Sequence, residues 1–154
     1  MKQFVGSVVL IIASSAFVSC DAPVTDCENG VSLPLQTQIN DCEVSPCELE
    51  RGTTAVLNIT FRAPYYIEEI RPEVIATVFG VSLTYPLEES DGCKSLLNIR
   101  CPIDADEIVR YQLQMPILLS YPTFSIQMNF SIYDEYNNGL ACFVVATKVV
   151  VAGS

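Results

Sequence analysis

Thr123-Phe124-Ser125-Ile126-Gln127-Met128-Asn129-Phe130-Ser131-Ile132-Tyr133 alternates polar and apolar side chains along its length. A period of two sends successive side chains to opposite faces of an extended chain. The stretch is therefore predicted as a half-buried antiparallel strand, with Phe124, Ile126, Met128, Phe130 and Ile132 inward and Thr123, Ser125, Gln127, Asn129 and Ser131 toward water. Thr54 to Arg62 repeats the arrangement, with Ala55, Leu57, Ile59 and Phe61 inward. Asn58-Ile59-Thr60 and Asn129-Phe130-Ser131 are N-glycosylation sequons, and each asparagine falls on the face already assigned to water. That agreement supports the register independently of hydrophobicity and makes Asn58 and Asn129 the expected glycan acceptors.

Working outward, further strands are expected at Gly30 to Asn40, at Glu73 to Tyr85 as one long strand or a bent pair, at Ile108 to Met115, and at Leu140 to Val151. Pro116 and Pro122 mark an edge or a bend. The last strand is apolar on both faces around Phe143 to Val145, so the pattern does not fix its inward side. Nothing after residue 21 reads as a helix of useful length. About seven strands with turn signals between them and no crossover helices give an all-β, two-sheet sandwich.

The ends of the chain set its compartment. Lys2 precedes an apolar run from Phe4 to Val18 that closes on small residues, the pattern of a secretory signal peptide, with cleavage expected between Cys20 and Asp21. The run is shorter than the roughly 20 apolar residues of a membrane span. A lipoprotein anchored through Cys20 is the competing reading, and Phe17 stands where such signals usually carry leucine. The division is thus 1–20 signal and 21–154 one domain, secreted to the extracellular space or the lysosomal lumen. Cleavage leaves Cys27, Cys42, Cys47, Cys93, Cys101 and Cys142, an even set suited to an oxidising compartment. Proximity favours Cys42 with Cys47 and Cys93 with Cys101, which leaves Cys27 for Cys142. Losing Lys2 takes the net charge of −10 one unit further negative. Such a balance disfavours nucleic acid and repels anionic bilayers at neutral pH.

The 154 residues contain no histidine. That excludes a Ser-His-Asp or Cys-His nucleophile and removes the commonest zinc ligand. The six cysteines are all required for bridges, and no Gly-rich phosphate loop is present. Glu68-Glu69, Glu88-Glu89 and Asp104 with Asp106 are the remaining carboxylate pairs, all in predicted turns where solvated carboxylates are the rule. The chain reads as a non-enzyme with no cofactor and no metal. Its surplus is apolar: the inward faces, with Tyr85, Tyr111 and Tyr121 near strand ends, fill a core or line a cavity between splayed sheets.

The stretch from Tyr85 to Pro102 bears on that choice. Tyr85-Pro86-Leu87 leads through Asp91-Gly92-Cys93-Lys94-Ser95 to Cys101-Pro102, an aromatic-proline segment followed by a loop that two cysteines can clip onto itself. It is expected to sit at one end of the sheets as the rim of an apolar pocket.

Asp26-Cys27, Cys42 with Cys47, Leu49, Gly52, Asn58-Ile59-Thr60-Phe61, Tyr85-Pro86, Asp91-Gly92-Cys93-Lys94-Ser95, Cys101-Pro102-Ile103, Pro116, Tyr121-Pro122 and Cys142, in that order, resemble the ML lipid-recognition domain family, on the side of its soluble cholesterol carriers and their arthropod relatives. The resemblance spans essentially the whole of the expected mature chain. It implies an immunoglobulin-like sandwich, the three disulfides named above, and a sterol or other lipid between the sheets. By position it assigns the pocket entrance to Tyr85, Pro116, Ile117 and Tyr121, and the lining to Leu57, Ile59, Val78, Leu83, Ile126, Met128 and Phe130. The cholesterol carriers usually have phenylalanine at the place of Tyr85 and tryptophan at those of Phe130 and Phe143, departures that bear on sterol selectivity. The expected function is binding and transfer of a sterol or similar apolar lipid by a monomer in transient contact with a membrane or a lipid receptor. A recognition protein for microbial lipids, fatty acids or semiochemicals is the alternative.

Overall fold

The computed structural model describes residues 6, 9–11, 13 and 20–153. The expected signal segment therefore lies mostly outside the described residues. Eight strands form two sheets: β1 (Gln36–Ile39), β2 (Cys47–Glu50), β3 (Thr54–Arg62), β4 (Ile70–Val78), β5 (Val81–Thr84), β6 (Ile108–Pro116), β7 (Ser125–Asp134) and β8 (Gly139–Val150), with one 3₁₀ turn at Gly92–Ser95. The smaller sheet has the order β1-β3-β6 and the larger β2-β8-β7-β4-β5, every pair antiparallel except β2 with β8.

Period-two patterning accounts for the long strands. In β3, Ala55, Leu57, Ile59 and Phe61 are all buried, and they lie opposite Met115, Leu113, Tyr111 and Val109 of β6. Across the gap, Val74 of β4, Phe130 of β7 and Phe143 of β8 stand side by side on the inner face of the larger sheet, each at most 1 % exposed. Tyr111 and Phe143 pack on either side of Phe130, with ring centroids 5.9 and 5.3 Å away.

Several expectations need correction. Phe124 is not inward: β7 starts one residue later, and Phe124, 39 % exposed, packs edge-on against Phe79 with centroids 5.1 Å apart. Glu73 to Tyr85 is a bent pair, because Phe79 and Gly80 both take positive φ (50° and 78°) and reverse the chain between β4 and β5. Such a two-residue turn matches the twist of a hairpin. The first strand is confined to Gln36–Ile39, and β2 was not expected at all.

The last strand buries both faces only around Leu140 to Cys142, where the N-terminal arm docks through the Cys27–Cys142 bridge; beyond that its outer face opens, with Val144 half-buried and Ala146 and Lys148 exposed. Phe143, Val145 and Val149 face the core, while Thr25 exchanges hydrogen bonds with Val144 and lays the N-terminal arm beside β8. Three disulfides join Cys27 to Cys142, Cys42 to Cys47 and Cys93 to Cys101, and Cys20 is free and exposed. The first closes a loop with a sequence separation of 115 and, by loop entropy, contributes roughly 5 kcal/mol.

Candidate functional site

Burial along the inner face of the larger sheet is graded. At Val74, Phe130 and Phe143 the packing is complete; one layer on, Met128 and Val145 are buried but Ala76 is half-buried; one layer further, Val78 and Ile126 are both half-buried. Leu83 lies opposite Ala76, and Val81 opposite Val78, so both share the inner face, yet they are 68 % and 61 % exposed. β5 overhangs the smaller sheet, which has only three strands to cover the five. The interior thus loosens steadily toward one end of the sandwich.

Pro116 and Ile117 lie toward that end, whereas the Tyr85 main chain stands level with Val74 and only its side chain reaches Pro116. Tyr85 follows β5, Pro116 closes β6, and the Tyr85 hydroxyl donates to the Pro116 carbonyl oxygen at 3.4 Å. Tyr121 stands beside Tyr85. Burial first, then the Tyr121 hydroxyl and the Glu88 charge, push the Tyr85 phenol up. Ile117 is buried beneath them. The entrance residues are brought together, as are Leu57, Ile59, Ile126, Met128 and Phe130 in one continuous core, with Val78 half-buried at its open end. Leu83 belongs to the rim and not to the interior.

Arg51, which sequence patterning missed, and Gly52 hold the segment from Ile117 to Tyr121 in place. Arg51 donates from Nη1 to the carbonyl oxygens of Leu119 (3.3 Å) and Tyr121 (3.2 Å), and Gly52 N–H donates to Ile117 O at 2.6 Å. Gly52 has φ +81°, and a β-carbon there would lie 3.1 Å from Leu119 Cδ2. Glycine meets both demands. The signal was a cation next to a glycine, in a short turn of an acidic chain.

The clipped loop has a different place from the one expected. Its 3₁₀ turn packs against β4 and β6, and Leu96 to Asn98 pair with the edge of β6, so the loop seals the side of the sandwich, and only Tyr85, at its start, reaches the mouth. Asp91 caps the turn by accepting from Cys93 N–H at 3.0 Å. Gly92 is required for close approach: a β-carbon there would lie 2.8 Å from Ile70 Cγ1 and 2.9 Å from Ile70 O. Beneath the loop, the buried Tyr111 hydroxyl has no hydrogen-bond partner among the described residues. Burial and the Glu89 charge push its phenol up, while Ser95 pulls the other way without closing a bond.

The opposite end is closed by Asp134. Its carboxylate accepts from Tyr65 O–H, from the N–H groups of Tyr136 and Asn138 at 2.8 Å, and from Asn138 Nδ2 at 3.1 Å. Burial and the Asp134 hydrogen bond push Tyr65 up to about 12. Two open clefts flank this end, one of about 710 Å³ between the N-terminal arm, Phe61 and Gly139, and one of about 550 Å³ between Glu68, Asp91 and Glu135. Neither is lined by Leu57, Ile126, Met128 or Phe130. The half-buried layer at Val78 and Ile126 is the least enclosed part of the inner face.

The sequence matches the ML domain family over residues 21–149. It is 30 % identical over 149 residues to the NPC intracellular cholesterol transporter 2 of Bos taurus, covering 96 % of this chain and 98 % of that one. It is 26 % identical over 127 residues to NPC intracellular cholesterol transporter 2 homolog a of Drosophila melanogaster, covering 81 % and 85 %. The fold is similar to the crystal structure of a Niemann-Pick type C2 protein from Japanese carpenter ant, with a TM-score of 0.74 at 17 % identity over 82 % of this chain and 98 % of that chain.

Proposed function

The chain belongs to the ML domain family, and on that premise we propose that it is a secreted lipid carrier that holds a sterol or similar apolar lipid between its sheets and passes it through the mouth at Tyr85, Pro116 and Tyr121. The observation that carries this reading is the graded packing of the inner face, from Val74 and Phe130 at the sealed centre to Val78 and Ile126 at the loose end. A lipid entering there displaces side-chain contacts that are already incomplete. Burying about 400 Å² of its surface at roughly 25 cal/mol per Å² contributes on the order of 10 kcal/mol, which has to offset parting the sheets and immobilising the guest. No bond is made or broken, and no cofactor enters the account.

Leu57, Ile59, Val78, Ile126, Met128 and Phe130 would then line the guest, with Tyr85, Pro116, Ile117 and Tyr121 at the way in. Three disulfides suit an oxidising compartment, the extracellular space or the lysosomal lumen, reached through the signal peptide at 1–20. Transfer of a fluorescent sterol between two vesicle populations tests the reading. A carrier accelerates transfer in proportion to its concentration and at substoichiometric amounts. A protein that binds the sterol without accelerating transfer is a recognition module, and one that does neither is not a carrier of this class.

A further inference from the structure

Every sheet edge but one is covered or charged among the described residues. On β1, Thr37 N–H donates to Asp21 Oδ1 at 3.3 Å and Thr37 O accepts from Ala22 N–H at 2.8 Å. On β6, residues 96–98 occupy the edge from Ile108 to Tyr111: Leu97 N–H donates to Arg110 O, and the Asn98 side chain bonds both Ile108 O and Arg110 N–H. The outer strand β2 is four residues long, starts at a disulfide and carries Glu48 and Glu50. Short, charged or covered edges are how sheets avoid unwanted pairing.

β5 has none of these devices. All four of its residues, Val81, Ser82, Leu83 and Thr84, are exposed. Tyr85 N–H donates to Val74 O at 2.8 Å, so Val74 and Tyr85 are a bonded pair of the β4–β5 ladder. The antiparallel alternation then makes Ala76 with Leu83 and Val78 with Val81 the other bonded pairs. The N–H and C=O groups of Ser82 and Thr84 therefore point outward along the open edge.

We infer that β5 is a self-association edge, and that two copies of this chain pair β5 to β5 about a two-fold axis through Leu83, in place of the monomer expected from sequence. The axis sets Ser82 opposite Thr84 of the second copy, and Thr84 opposite Ser82, so that the outward groups of both strands bond each other. Leu83 then faces Leu83 of the second copy in the closer, non-hydrogen-bonded position, where Cα atoms approach to about 4.5 Å. This arrangement is isologous and closes on itself.

Charge permits the pairing. The chain carries a net −10, yet Phe79 to Leu87 contains no charged residue, so repulsion is not concentrated at this edge. The strip includes Phe79 at 86 % and Leu83 at 68 % exposure, and a ladder between two four-residue strands suits a weak association and not an obligate one. Because Tyr85 follows β5 directly, pairing brings two mouths together along one continuous sheet. The inference stands on the edge alone and does not depend on which lipid, if any, is carried.

Sedimentation velocity of the purified chain from micromolar to sub-millimolar concentration tests it, with Ser82→Pro and Leu83→Lys as variants. The Ser82 N–H is not part of the β4 ladder, so proline there removes an edge donor and leaves the hairpin paired. Leu83→Lys leaves the main chain intact and decides the question if the proline variant misfolds. The expected result is a wild type whose average mass climbs toward the dimer and variants that self-associate at least about tenfold more weakly, with unchanged circular dichroism. A wild type that stays monomeric throughout overturns the inference, including the case in which it binds phosphatidylcholine vesicles and Leu83→Lys does not. Variants that dimerise as well as the wild type overturn it too.

Discussion

The Tyr85 hydroxyl reaches across the gap between the sheets and donates to the Pro116 carbonyl oxygen, 3.4 Å away. Tyr85 continues from β5 of the larger sheet and Pro116 ends β6 of the smaller, so this bond links the two layers where the lipid entrance is proposed. At 3.4 Å the bond is long for an O–H···O contact and is worth no more than about 0.5 kcal/mol. Tyr85→Phe is expected to speed both uptake and release of a fluorescent sterol by roughly twofold, with little change in equilibrium affinity. Stopped-flow exchange checks it, and unaltered rates would mean that the mouth lies elsewhere.

Ile126 and Phe130 face the same way from β7, but their substitutions should separate binding from stability. Ile126 is half-buried at the loose end, so Ile126→Lys is expected to weaken sterol binding at least about tenfold while costing less than about 2 kcal/mol of stability, because the lysine head can turn to water. Phe130 is 1 % exposed, stacked on Phe143 and packed against the tilted ring of Tyr111, so Phe130→Ala should cost about 3–5 kcal/mol whether or not lipid is present. Parallel sterol titrations and urea unfolding measure both effects. Unchanged affinity in Ile126→Lys would move the guest out of this gap.

Asp134 makes stability depend on acid. Burial opposes its ionisation, but bonds from Tyr65, Asn138 and Tyr136 outweigh that and hold the carboxyl below its usual value. A carboxylate with a lowered folded pKa stabilises the fold fully above its unfolded pKa of about 4, and the contribution is lost as pH falls through the folded value. Asp134→Ala should therefore cost roughly 2–4 kcal/mol at neutral pH, with the gap to wild type narrowing below about pH 4. Chemical unfolding across that range decides it, since a gap that stays constant would remove the carboxylate from the acid response.

The sequons differ in their surroundings. Asn58 accepts from Gln112 Nε2 at 3.0 Å on the outer face of β3, whereas Asn129 Oδ1 lies 3.4 Å from Cys142 Sγ, and Ser131 is only 5 % exposed. Asn58→Gln is expected to abolish a glycosidase-sensitive mass shift of the secreted protein, and Asn129→Gln to leave it. The reverse pattern would show that the arm bearing Cys27 docks after glycosylation.

Alternation was legible wherever one face of a strand is dry and the other wet. The bounds expected for β3 are those observed, since its polar positions all point out of the sandwich. β2 escaped notice because four residues, Cys-Glu-Leu-Glu, carry too little pattern and their partner β8 is remote in sequence and parallel. The inward side of β8 could not be read because its outer face is also largely apolar, at Val144, Ala146 and Val150, although Ala146 is exposed and Val144 only half-buried. The entrance expected at Tyr85, Pro116 and Tyr121 came from the family resemblance, whereas Arg51 acts through main-chain carbonyls, which carry no residue signature. Leu83 was expected in the lining from the family resemblance. Its side does face the core, but whether the smaller sheet is wide enough to cover it depends on the count of strands and not on any local stretch.

The central claim is that a lipid occupies the gap between the sheets, and native mass spectrometry of the protein secreted from its own source tests it most directly. The account predicts a population heavier than the bare chain by the mass of one lipid molecule, released on solvent extraction and restored by adding sterol, in the wild type but not in Ile126→Lys. A bare chain that gains no mass when sterol is added would contradict it.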